Sequence, residues 1–378
     1  MNKRMSTEAI FGIGGGNISA ESQRNLKIAE DLCRKRKPDE AAPYIEKAME
    51  DPRNLDAWIS AAFVAPNLDI STGWLEEAEK QGRVFLKKDF GPTCFDDDGG
   101  TVGDFWTILE TRPYMRVLSA LVRIHKDNGK FDKSANVAIE MLRLCPADNT
   151  AQRDGLGALL IKAGRHSDAL SFVQNWLASN TAQTGVPPPR GGCNFGQPSR
   201  EPLSPKRVKE LCDGCLKADR AYSAALAAYH LWGDCELARQ YLLIGAKLNP
   251  QVLLKILAKV NQPKSTTSAA RSLNSTEDAH DYLWLCQDSF MEPKIWNWIN
   301  SNAEVRKCIL KKCSRAGCKT QEIEVAQFKR CGSCHQVWYC SPQCQKDDWK
   351  THKPSALLYS APPCIYLTHT DSSNVFRV

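Results

Sequence analysis

From Glu21 to about Ile299, apolar positions recur at spacings of three and four, the period of a helix buried along one side. The run Arg116-Val117-Leu118-Ser119-Ala120-Leu121-Val122-Arg123-Ile124 makes one such face, and Val137, Met141, Leu142 and Leu144 make another. Between these stretches stand Gly129, Gly164 and Gly233. Each follows one helical pattern and precedes the next, as glycine does at a helix C-terminus. The turns keep a register: Gly129 and Gly164 lie 35 residues apart, Ala169 and Ala238 follow their glycines by five, and Pro146 and Pro250 follow theirs by 17. A looser copy runs from Pro38-Asp-Glu-Ala-Ala to Asp51-Pro52. The pattern predicts a mainly α region over residues 21–300.

This register resembles a degenerate tetratricopeptide-like helical-repeat array covering about two-thirds of the chain, since such helix pairs repeat about every 34 residues. Stacked pairs bury a continuous core and leave a curved surface. An irregular helical bundle with chance glycine spacing is the alternative. Residues 1–20 read as a flexible arm, whose Gly12–Gly16 run has neither the preceding strand nor the following Lys-Ser/Thr of a phosphate loop. Two loops interrupt the helices. Residues 91–104 read as a solvated tip around Asp96-Asp97-Asp98, and residues 184–205, with six prolines and four glycines, read as extended and mobile. Trp284, Trp296 and Trp298 read as packing residues.

Composition sharpens the picture at the C-terminal end. The 378 residues hold 16 cysteines and 50 Lys+Arg against 43 Asp+Glu, a balance of +7. Seven of those cysteines lie between Cys308 and Cys344, and residues 304–353 carry 11 Lys+Arg against 5 Asp+Glu. Positive charge and thiols therefore concentrate in one small segment. No apolar run reaches the roughly 20 residues of a membrane helix, and the N-terminus lacks the apolar stretch of a secretory signal. The chain is expected to be intracellular, cytoplasmic or nuclear, where clustered cysteines hold metal more often than disulfides.

The segment CSRAGCKTQEIEVAQFKRCGSCHQVWYCSPQCQKDDWKTH spaces its ligands as C-x4-C, x12, C-x2-C, x5, C-x3-C, x7, H. Three cysteine pairs and a histidine exceed the four ligands of one tetrahedral zinc, so two ions are the simplest assignment. Ser341 suits a helix N-cap and Pro342 the first helical position, which predicts a short helix from Pro342 to about Thr351 with His352 at its end. Gln336 to Tyr339 suits one strand of a hairpin.

With Tyr339-Cys340-Ser341, Cys344-Gln345 and Asp348-Trp349 ahead of His352, residues 308–355 resemble a MYND-type zinc finger. The resemblance implies a cross-braced pair of sites: Cys313, Cys318, Cys340 and Cys344 for the first zinc, and Cys331, Cys334 and His352 plus one more for the second. The family's eighth ligand, a cysteine four residues after the histidine, is here Ala356; Cys364 or His369 is the available substitute. Residues 356–378 read as an irregular tail, of the kind a truncated or altered C-terminus gives. Cys331-Gly-Ser-Cys334-His335 also fits the c-type haem pattern, but stands inside a seven-ligand zinc array. Cys212 and Cys215 form a lone pair.

The helical body shows no G-x-S-x-G, H-E-x-x-H or Walker loop, so the chain is read as a non-enzyme. Some relatives of the finger belong to lysine methyltransferases, but their Asn-His-Ser element is absent here. The resemblance implies an adaptor whose finger docks proline-rich peptides in a shallow groove at Gln345 and Trp349, with the helical repeats binding a second partner. Trp349 also fits as a core residue of so small a domain. The other reading is a nucleic-acid-associated finger using Lys311, Lys312, Arg315, Lys319, Lys329 and Arg330 on phosphates. Six thiolates and two Zn²⁺ would lower the segment's charge by two, which weakens that reading.

Overall fold

The computed structural model describes residues 18–178, 186–334 and 336–360, with side chains up to residue 354. Most of the arm, the glycine run, Cys364 and His369 lie outside them. The described residues fall into two compact units, Met1–Val252 with Asn261–Asn302, and Leu253–Val260 with Ala303–Val378.

The first unit is helical throughout. Its first four helix pairs are α1 (Ala20–Arg34) with α2 (Pro38–Met49), α3 (Leu55–Val64) with α4 (Leu68–Phe90), α5 (Arg112–Asp127) with α6 (Phe131–Leu144), and α7 (Gln152–Lys162) with α8 (His166–Leu177). The short α9 (Pro205–Asp213) precedes a fifth pair, α10 (Ala218–Trp232) and α11 (Glu236–Leu248). There follow α12 (Gln251–Leu257), which crosses the unit boundary, then α13 (Thr276–Met291) and α14 (Pro293–Ser301). The two helices of each pair pack on one another, and each pair packs on the next through α2–α3, α4–α5, α6–α7 and α8–α10. First helices also meet, as α1–α3, α3–α5, α7–α10 and α10–α13. Contacts are thus made chiefly between sequence neighbours, the economy of stacked helix pairs.

The turns show why the glycine register is informative. Gly129 and Gly164 have φ of 68° and 74°, and each sits inside a six-residue closure, Lys130 N–H to His125 C=O and Arg165 N–H to Leu160 C=O, both 2.8 Å. That left-handed closure satisfies carbonyls the helix end would leave bare. The same closure joins α1 to α2, with Lys37 N–H on Leu32 C=O at 3.0 Å, but its left-handed residue is Arg36 (φ 60°). Five positions beyond each of these turns stands a small, wholly buried residue: Ala41, Ser134, Ala169 and, after Gly233, Ala238. Close helix approach also explains Gly82 on α4, where a Cβ would come within 2.7 Å of the Tyr114 ring on α5.

Both long loops are more structured than their composition suggests. In residues 91–104 Cys94 and Phe95 are buried, and the Gly103 and Phe105 N–H groups bond the Leu144 carbonyl at 3.0 and 3.2 Å. Asp96, Asp97 and Asp98 are exposed, as expected of a solvated tip, and Asp97 is paired with Arg143 (2.6 Å) and with Arg190. Residues 186–204 have no regular structure beyond a turn at Pro189–Gly192, and side chains of α8 and α11 satisfy part of their main chain. Trp298 packs against Tyr229 with ring centroids 4.5 Å apart and donates to Asp234 at 2.7 Å.

The pairs are also pinned by charge. Arg116 on α5 grips Asp56 on α3 through two 2.7 Å bonds, with both side chains under a tenth exposed. Removing one partner strands the other charge in a dry interior, whereas replacing both with apolar residues does not. Asp56→Ala should therefore lower unfolding free energy by about 3–5 kcal/mol in denaturant titration, and Asp56→Leu with Arg116→Met should recover most of it.

Candidate metal centre

The second unit has little apolar material. Its helix α15 (Ala303–Ile309) buries Val305 and Ile309 and is tied to the following segment by Arg306, which donates to the Ile323 carbonyl. A minimal hairpin, β1 (Lys329–Arg330) and β2 (Trp338–Tyr339), pairs antiparallel with Lys329 opposite Tyr339 and Arg330 opposite Trp338. Helix α16 (Pro342–Ser360) begins at the Ser341 cap, whose hydroxyl accepts the Cys344 N–H at 3.2 Å. It does not stop near Thr351 as the sequence suggests: it runs through Pro354 to Ser360, into the segment read as an irregular tail. A proline inside a helix forfeits its own N–H bond, and its ring crowds the carbonyl four residues back, here that of Lys350.

The predicted ligands converge in two groups. Cys313, Cys318, Cys340 and Cys344 form one, and Cys331, Cys334 and His352 the other, with all ligand atoms of a group within 4.8 Å of one another. In the first, Sγ–Sγ distances are 3.8 Å for Cys318–Cys340, 3.4 Å for Cys340–Cys344 and 3.9 Å for Cys344–Cys318. Four sulfurs about 2.3 Å from a tetrahedral zinc lie about 3.8 Å apart, so this group fits the ion. In the second, Cys334 Sγ and His352 Nε2 are 3.2 Å apart, near the roughly 3.6 Å edge expected of a zinc-bound S–N pair. The pairs interleave: the hairpin stands between the two halves of the first site, and α16 contributes Cys344 to one site and His352 to the other. Position 356 lies one turn beyond His352 on the same helix. Here that position is alanine, and among the described residues the second group has three ligands.

Without metal, the thiols share protons unevenly. The Thr320 hydroxyl, 3.3 Å from Sγ, and the Thr320 N–H bring Cys318 down to about 6. Burial raises Cys331, but the N–H groups of Cys334 and Ser333 and its contact with His352 bring it to about 7. Cys340, bonded to the Cys344 sulfur, is raised to about 12. Such a cluster carries thiolates ready for a cation and yields its remaining protons when one binds.

Residues outside the ligand set hold the frame. Glu322 is 3% exposed; its carboxylate accepts the Lys311 and Phe328 N–H groups, both at 2.8 Å, while its own N–H bonds the Lys311 carbonyl at 2.9 Å. Sequence reasoning missed it because Glu322 and Glu324 look alike, and only the fold buries the first and exposes the second. Tyr339 donates to Asp348 at 2.7 Å, and burial together with that carboxylate holds its phenol above the ordinary value, so it remains a donor. Arg315, between Cys313 and Cys318, reaches Asp347 on α16 at 2.8 Å.

Two outcomes are expected. Glu322→Ala removes two charge-assisted bonds and should cost about 2 kcal/mol, read as roughly thirtyfold faster zinc transfer to a chelator, with Glu322→Gln intermediate. Zinc should be retained at pH 7.5 and released progressively as pH falls below about 6, because protons then compete for the thiolates; a colorimetric zinc indicator measures both.

Residues 311–355 match the family model of the MYND finger. A SET and MYND domain-containing protein of Dictyostelium discoideum is 31% identical over 85 residues, 22% of this chain and 14% of that one. Two F-box proteins of Arabidopsis thaliana are 49% identical over 41 residues (11% of each chain) and 44% identical over 45 residues (12% of this chain, 13% of theirs). The chain thus spans about a seventh or less of the length of these curated relatives. No solved structure matches it. The C-terminal segment 311–355 is a MYND finger, a zinc-binding module of protein–protein interaction, carried behind a helical body.

Proposed function

We propose that this protein is a non-enzymatic adaptor: its finger docks proline-rich peptides on the face of α16 that carries Gln345 and Trp349, and its helical pairs, a tetratricopeptide-like array, bind a second partner. The carrying observation is the placement of these two residues. They lie one turn apart on α16, both half-buried, and the helix is anchored by ligands on either side of them, Cys344 and His352. An indole face held in this way suits an extended proline segment, and the glutamine amide can bond its free carbonyls. Trp349 also packs against the finger core and stands edge-on to His352 at 6.2 Å, so one residue serves both the fold and the groove.

The phosphate-binding reading is weakened by where the basic side chains are spent. Of its six residues, Lys311 lies over the Trp338 ring at 4.7 Å and Arg315 is paired with Asp347. We place the protein inside the cell, in cytoplasm or nucleus, because the thiols of both groups must stay reduced to hold metal. No helix among the described residues is long and apolar enough to cross a membrane.

With a fluorescein-labelled hexaproline peptide as probe, Gln345→Ala should weaken binding about fivefold, the loss of one net hydrogen bond. Trp349→Phe, which keeps an aromatic ring in the core, should weaken it by more, with zinc content unchanged in both. Anisotropy titrations unaffected by either substitution would remove the groove assignment.

A further inference from the structure

The proline-rich segment ahead of α9 is bound to the helical body as a peptide ligand would be. Gln174 on α8 meets Ser199 with both arms: Ser199 N–H donates to Oε1 and Nε2 donates to the Ser199 carbonyl, each at 2.8 Å. Gln240 on α11 does the same to Leu203, at 2.7 and 3.0 Å. One residue presents its N–H and C=O to the same side only in an extended backbone, so each glutamine takes the place of a neighbouring strand. Upstream, Asn175 donates to the Gly192 and Asn194 carbonyls at 3.0 and 3.3 Å, Trp176 donates to the Gly191 carbonyl at 3.0 Å, and Ser171 Oγ accepts the Gly196 N–H at 3.0 Å.

All of these contacts read main chain. Of the side chains from residue 197 to 202 only Pro198 is buried; Arg200, although exposed, lies over the Trp232 ring at 5.9 Å. Pro202, which is exposed, sits between the two clamped residues, so the clamps tolerate a proline beside them. The segment also leaves space. A trough of about 940 Å³ remains beside it, with Leu177, Leu211 and the almost fully buried Tyr241 among its lining residues, and with Arg207 and Glu210. A site that reads backbone, tolerates proline and leaves space beside the segment is not specific to the sequence now in it.

We propose that the groove between α8 and α11 binds extended, proline-containing segments of partner proteins, and that residues 196–203 occupy it in cis as a resident ligand which a partner displaces. The proposal rests on the reading of the helical body as a partner-binding surface, and is independent of how the finger docks. The resident segment competes at the millimolar effective concentration typical of a short tether. A partner that also fills the trough adds contacts that the resident lacks.

The probe is a fluorescein-labelled peptide of residues 196–204. Ser199→Pro with Leu203→Pro in the full-length protein removes both N–H groups that the glutamines hold, which vacates the groove and should tighten anisotropy-measured binding at least tenfold over the parent protein. Adding Gln174→Ala and Gln240→Ala in that background should abolish the gain, and chelating zinc should leave it intact, which separates this site from the finger. A vacated variant with parental circular dichroism and melting temperature that fails to bind overturns the proposal, as does binding undiminished by the two glutamine substitutions. Should the vacated variant not fold, hydrogen exchange on the parent protein decides. The Ser199 and Leu203 amides should be protected and lose protection in a few millimolar unlabelled peptide; protection unchanged by peptide overturns the proposal.

Discussion

Thiolate ligation is the interaction around which the C-terminal unit is built. Among the described residues of the finger, the buried cluster has six members, four of them cysteines, with Phe328 and Tyr339 as the others. So small an apolar core cannot offset the entropy of ordering some 45 residues, whereas structural zinc contributes on the order of 10 kcal/mol. Because the pairs interleave, neither site is complete until the hairpin and α16 are in place. The Ser341 cap, the Glu322 clamp and the Tyr339–Asp348 bond are therefore refinements of a frame that metal closes. They hold α16, with Gln345 and Trp349, in a fixed orientation.

The helical body solves a different problem with a different economy. Each hairpin exposes an apolar side that only the next hairpin covers, so stability accumulates along the chain and contacts remain local. Small residues where helices meet, such as Ala41, Ala169 and Gly82, permit close approach, and the buried Arg116–Asp56 pair fixes how α3 and α5 meet. Two loops that break the pattern are absorbed by the same rule that governs helix ends: backbone polar groups must be satisfied. Leu144 offers its carbonyl to the first loop, and Gln174 and Gln240 close on the second. One module thus folds around an ion and the other by stacking.

Much of this was legible in the chain itself. Seven ligand residues and their spacing specify the finger, because zinc chemistry restricts which side chains can serve and tight turns restrict how far apart they stand. The helical period and the glycines at 129 and 164 mark real elements, since a left-handed turn residue is usually glycine. Where the turn residue was Arg36, nothing in the sequence announced it. Arginine reaches that conformation only because the flanking closure from Lys37 to Leu32 holds it there.

What tertiary structure alone decided are the matters of pairing. Residue types gave no reason to separate Glu322 from Glu324, to anchor Asp97 on Arg143, or to hold a proline-rich segment by two glutamines some 65 positions apart. Composition fixes which groups a chain can bury or ligate, and period fixes which face they occupy. The choice of partner depends on distances across the fold, and a linear order of residues contains none of them.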